Sequence, residues 1–172
     1  MARGGKWWRW KPKREDLPES EGRGQSDPEA GQASVERVRE LMRQGAEAGD
    51  PRAMVYHGMY LTQMDGNHAE AEFWFTAALA AGNVTAAGEL GKLLMEQGSY
   101  ADAKPLLRVG AEAGDTEAMV GLGILLLWDD DRVGARALVS AAADGDHEGA
   151  QELLLRIDAG WNGIDEEQDG SV

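Results

Sequence analysis

The residues able to do chemistry are few and scattered. Three histidines stand at positions 57, 68 and 147. No two share the i, i+4 spacing that sets a pair of imidazoles on one helix face, and no His-Glu-x-x-His run occurs. The acidic run Asp129-Asp130-Asp131 invites a cation, but it lacks the alternating ligands, the glycine and the closing glutamate of a calcium loop. A solvated turn, with Asp131 capping the next helix, is the expected reading. The glycines recur at intervals and do not cluster into a phosphate-cradling loop or a nucleophile elbow. Without cysteine the chain has no disulfide framework and no cysteine-based zinc site. These residues predict no enzyme, no metal and no cofactor.

One other group of residues is chemically distinctive. Residues 1–14 hold six basic side chains (Arg3, Lys6, Arg9, Lys11, Lys13 and Arg14), no acid, and three tryptophans, Trp7, Trp8 and Trp10. The whole chain carries −14, which leaves about −20 on the remainder. An acidic body repels phosphate, so nucleic-acid binding is unlikely except through the arm. Trp7, Trp8 and Trp10 with Arg9 and Lys11 are the expected anchors of this arm. Four uses are open to it: an anionic membrane surface, stacking on nucleic acid, capture by another protein, or self-docking on the acidic body. No stretch nears the roughly 20 apolar residues that span a bilayer, and the basic start lacks the apolar run of a signal peptide. The expectation is a cytoplasmic protein.

These residues sit in a chain of distinct zones. Residues 1–32 comprise the arm and, over 15–32, an acidic stretch with Pro18, Pro28 and little that is apolar, expected to be a disordered linker. Residues 33–158 are helical by pattern. Residues 159–172 return to glycine and acid and are expected to be a tail.

The helical zone repeats. Ala48-Gly49-Asp50, Ala81-Gly82-Asn83, Ala113-Gly114-Asp115 and Asp144-Gly145-Asp146 recur with their glycines 33, 32 and 31 residues apart. A small residue follows each (Ala53, Ala86, Ala118 and Gly149), and then Gly58, Gly91 and Gly123 in the first three units. The first glycine of each unit is expected to end a helix in the left-handed conformation. The Asp or Asn after it is expected to cap the next helix, with Pro51 at a first helical position. The mid-helix glycines cost about 1 kcal/mol each relative to alanine. Their recurrence predicts a second helix packed close against the backbone there. Eight helices are expected, at about 33–48, 51–64, 68–81, 84–97, 100–113, 116–128, 132–143 and 147–158. Pro105 predicts a late start or a kink in the fifth.

These spacings resemble Sel1-like repeats, relatives of the tetratricopeptide repeat. Residues Ala111–Leu126 follow the Sel1-like pattern of Ala, Gly-Asp, Ala-Met, Leu-Gly and Leu-Leu almost throughout. Residues Ala46–Leu61 keep Ala-Gly-Asp-Pro and Ala-Met but place His57-Gly58 where Leu-Gly is usual. His57 is therefore expected to be a partly buried, hydrogen-bonded structural residue. Ser99–Ala103 is closer to the tetratricopeptide pattern, and the last unit has Leu154 where Leu-Gly would stand. The resemblance implies an all-α, right-handed solenoid of helix-turn-helix repeats.

The resemblance also implies that the first helix of each pair lines a concave groove. By position these residues are Arg52, Val55, Met59 and Thr62, then Thr85, Gly88, Lys92 and Met95, then Glu117, Val120, Ile124 and Trp128. The implied function is that of a scaffold or adaptor holding a protein or peptide segment in that groove. Tethering to a membrane or nucleic acid through residues 1–14 is the alternative.

Overall fold

The computed structural model describes residues 28–145 and 147–163. Every regular element among them is helical. The helices are α1 (Pro28–Glu47), α2 (Pro51–Tyr60), α3 (His68–Ala80), α4 (Thr85–Glu96), α5 (Tyr100–Glu112), α6 (Thr116–Trp128), α7 (Arg132–Asp144) and α8 (Ala150–Asp158), with a π-helical turn, Leu61–Asp65, after α2. Each helix packs on its neighbours in sequence, and α4 also touches α2 and α6.

The turns follow from the recurring tripeptides. Gly49, Gly82 and Gly114 take φ values of 89°, 87° and 89°. In each case the following N–H reaches back to a carbonyl of the last turn: Asp50 to Gly45, Asn83 to Ala78, Asp115 to Gly110. This satisfies carbonyls that the helix end would otherwise orphan. The Asp50 side chain then accepts from the N–H of Arg52, and that of Asp115 from those of Glu117 and Ala118.

Asp131 caps α7 as expected, accepting from the Gly134 N–H at 2.9 Å. Its neighbour Asp130 takes the left-handed position that glycine holds elsewhere, at φ 65°. A side chain there costs roughly 1–2 kcal/mol. Asp130→Gly is therefore expected to raise stability by about 0.5–1 kcal/mol, after allowing for the greater unfolded freedom of glycine. Urea unfolding checks this, and a lowered midpoint refutes it.

The fourth tripeptide departs from the rule. Gly145 has φ −88°, so it is not left-handed, and α8 begins at Ala150 with Gly149 before it; Asp146, the expected cap, lies outside the described residues. Gly145 serves close approach instead: a Cβ there would lie 2.8 Å from Thr116 Cγ2. The chain thus needs three more residues than expected to enter α8.

Other boundaries also move. α1 begins at Pro28, so the helical zone reaches into the stretch 15–32 expected to be linker. The sequence held the signal, because Asp27-Pro28-Glu29-Ala30 repeats the Asp50-Pro51-Arg52-Ala53 helix start. Pro105 lies inside α5, which does not start late. Of the expected C-terminal tail, residues 159–163 fold onto the array. Trp161 lies under the Arg156 guanidinium, 4.1 Å from its ring centre, and the Gly163 carbonyl accepts from Trp128 Nε1 at 2.7 Å.

The core is built by one contact used three times. Phe75, Leu107 and Val139, each fully buried, sit over Gly58, Gly91 and Gly123. A Cβ on those glycines would lie 2.6, 2.7 and 2.9 Å from the facing side chain. The expected close approach at the mid-helix glycines is therefore real. The first unit has one more residue than the second, and that residue falls between Gly58 and Phe75. The π-helical turn lies in this interval and absorbs it, since a π turn is an α turn carrying an extra residue.

Candidate functional site

An open groove of about 680 Å³ runs between the start of α2, the α3–α4 turn and the start of α6. Its apolar floor comes from Val55, Tyr56, Met59 and Val84. Tyr56 and Val84 leave about half their surface in solvent, at 48% and 49% exposed. Asn83 Nδ2 donates to the Pro51 carbonyl at 3.1 Å and pins the α3–α4 turn to the start of α2, which fixes the spacing of the two walls.

The rim is acidic. Asp50, Glu89 and Asp115 line the groove, with Arg52 the basic residue among the lining. Two of these acids are there because of the fold. Asp50 and Asp115 cap α2 and α6, and their carboxylates stay close to the helix starts they serve. Asp115 also packs flat against Gly88, where any side chain would displace it. Lys92, next along α4, is bound to Glu89 at 2.9 Å. Burial pushes the Lys92 ammonium down, but the carboxylates of Glu89, Glu117 and Asp115 outweigh it and hold the amine above the ordinary lysine range. Lys92 and Glu89 thus cancel as an ion pair, and Asp50 and Asp115 against Arg52 leave the face with a small net negative charge.

The expected groove residues divide. Arg52, Val55, Met59 and Thr85 line the groove. Thr62 does not, and its hydroxyl donates to the Met59 carbonyl at 2.9 Å. Gly88 is buried under Asp115. Glu117 is exposed beside Lys92, and its carboxylate meets His147 Nε2 at 3.2 Å. Met95 and Ile124 are core residues, 5% and 1% exposed, and this corrects their assignment to the groove. Val120 packs against the cluster that holds Ile124 and Ile157. Trp128 is corrected as well: it stacks edge-on against Tyr100 and is held by the Gly163 carbonyl. Towards its C-terminal end, therefore, the row is closed by α8 and the turn after it.

Tyr56, Val84, Asp50, Glu89 and Asp115 were not foreseen as groove residues. The signal for Tyr56 and Val84 was available, because both are large apolar residues outside the positions that the repeat buries. The arm residues Trp7, Trp8, Arg9, Trp10 and Lys11 lie outside the described residues.

The histidines stay apart. His57 is more buried than expected, at 3% exposed, and Nδ1 has no hydrogen bond. It packs edge-on against Trp74 at 5.5 Å, with Nε2 4.0 Å from Glu70. Burial pushes this imidazole below its ordinary range, against the opposing pull of Glu70. His68 lies 3.8 Å from Glu96. Among the described residues no group of three or more histidine or acidic side chains is placed to hold a metal ion, and no helix is long and apolar enough to cross a membrane.

Compared with family models, with curated proteins and with solved structures, the chain finds no match.

Proposed function

We propose that the chain is a non-enzymatic scaffold, a right-handed solenoid of Sel1-like and tetratricopeptide-like repeats, that holds a protein segment in the groove between α2, α4 and α6. The observation that carries this reading is the groove itself, an apolar floor with two half-exposed large residues inside a rim of three acids and one base. The recurrence of the glycine contact at Phe75, Leu107 and Val139 supports the repeat architecture. A floor of valine, tyrosine and methionine suits an apolar or aromatic anchor, and methionine adapts to its shape. The rim selects a segment with basic residues around that anchor and repels an acidic one.

The test uses two synthetic peptides with the same Trp and Leu anchors, one flanked by Lys and Arg and one by Glu. Titrated at low salt into the chain with Trp7, Trp8 and Trp10 changed to Ala, so that its own tryptophans do not compete, the basic peptide is expected to bind at least tenfold more tightly. Tyr56→Ala with Val84→Ser removes the exposed apolar floor and is expected to abolish binding of the basic peptide while leaving the thermal midpoint within a few degrees. If neither peptide binds, or if the double variant binds the basic peptide as well as the parent does, the groove is not the site.

A further inference from the structure

We propose that the occupant of this groove, when no partner is present, is the basic tryptophan-bearing segment 6–14 of the same chain. This rests on the groove being a peptide site, and it names the peptide.

Charge complementarity is the first argument. Residues 1–14 carry six cations and no acid. Glu89 and Lys92 cancel as an ion pair, so the groove offers Asp50 and Asp115 against Arg52, with Glu117 beyond them. Opposite charges on a partly enclosed surface attract more strongly than in bulk water.

The second argument is chemical fit. The exposed part of the floor, at Tyr56 and Val84, is open where an indole ring could cover it. Trp7 and Trp10 are three residues apart and flank Arg9. Such a segment can set aromatic anchors on the floor while placing a cation at the rim.

Chain length allows it. The 20 residues of α1 separate Pro28 from the groove entrance at Asp50 by about 30 Å, from a rise of 1.5 Å per residue. The stretch 15–27 spans up to about 45 Å when extended. A tethered ligand has an effective concentration near the millimolar range, so a modest intrinsic affinity suffices to fill the groove.

The other end of the array already uses this device. The turn at 159–163 covers Trp128 with the chain's own backbone, while no described residue covers the groove between α2 and α4. A partner would then have to displace the arm, which lowers its apparent affinity until the arm is removed or captured elsewhere.

The chain has no cysteine, so a single label is placed cleanly. Gly5→Cys carrying a nitroxide is made in the full chain, and amide broadening is mapped by NMR. The expected result is broadening at Tyr56, Met59 and Val84 that is independent of protein concentration. It should vanish when Trp7, Trp8 and Trp10 are all changed to Ala. Broadening confined to Val35, Val38 and Leu41, the exposed apolar residues of α1, would place the arm elsewhere and overturn the proposal. So would broadening of an unlabelled chain mixed with a labelled one, which marks a second copy as the occupant, and so would no broadening at all. The basic peptide described above, added to the triple-Ala chain, separates the two readings. If it shifts the groove amides although the arm broadens none of them, only the self-docking fails. If it shifts none, the groove reading fails too.

Discussion

Replacing Phe75 by alanine is expected to lower the free energy of unfolding by about 3–5 kcal/mol, a large share of the total for a domain of this size. Phe75 is 1% exposed and fills the space over Gly58, where its Cε1 would lie 2.6 Å from a Cβ. It also belongs to a cluster with Val55, Leu61, Ala71, Ala78 and Leu90, so its loss opens a cavity that four elements border. The reciprocal change, Gly58→Ala, forces a methyl into the ring and is expected to cost about 1–3 kcal/mol. The two changes act on the same space with opposite sign. Combined, they should cost less than the sum of the single changes by about 0.5–3 kcal/mol. Urea unfolding of the parent, both single variants and the double variant gives that coupling directly. Strict additivity would show that the glycine and the ring are independent.

Gly110→Ala is expected to cost about 3 kcal/mol or more, and trimming the neighbour should not restore it. A Cβ at 110 would lie 2.8 Å from Ala118 Cβ, 2.9 Å from Gly88 Cα and 3.1 Å from Gly88 N. Two of these three contacts are backbone, and backbone cannot rotate out of the way. α4 and α5 would have to separate where Gly110 meets the Gly88 backbone. Adding Ala118→Gly relieves only the first contact, so the double variant should stay close to the single one. Full recovery in the double variant, or a single-variant cost below about 1 kcal/mol, would mean that the helices part easily here. The pair Gly58 and Gly110 thus distinguishes a glycine that makes room for a side chain from one that makes room for a main chain.

Much of the fold was legible in the sequence because it repeats. One Ala-Gly-Asp is weak information, but several in register mark where helices stop, and the glycines nine residues further on mark where they touch. The last unit misled. Gly145 occupies the same sequence position as Gly114 but answers to a different constraint, the nearness of Thr116, and α8 starts later, with Gly149 at its N-cap. No local pattern distinguishes the two uses of glycine.

The groove was legible only at its N-terminal end. Arg52, Val55, Met59 and Thr85 line it because no described element is laid over α2 and the start of α4. Met95 and Ile124 follow from the same helix-face rule yet are buried, and Trp128 is held by Gly163. The rule assigns a face, and burial depends on what else the chain lays over that face. Residues 159–163 carry no periodicity that announces their fold-back, so that covering was invisible.

The π-helical turn at Leu61–Asp65 bears on how such arrays tolerate change in length. An extra residue in a loop would be free to wander, whereas one inside a packed helix normally rotates every later side chain by about 100°. Here the surplus is confined to a single widened turn, and Phe75 still meets Gly58 as Leu107 meets Gly91. The chain therefore accommodates an extra residue between contacts without losing the contact itself. The units of this chain are best aligned by their touching pairs, Gly58 with Phe75, Gly91 with Leu107 and Gly123 with Val139, and not by a constant period.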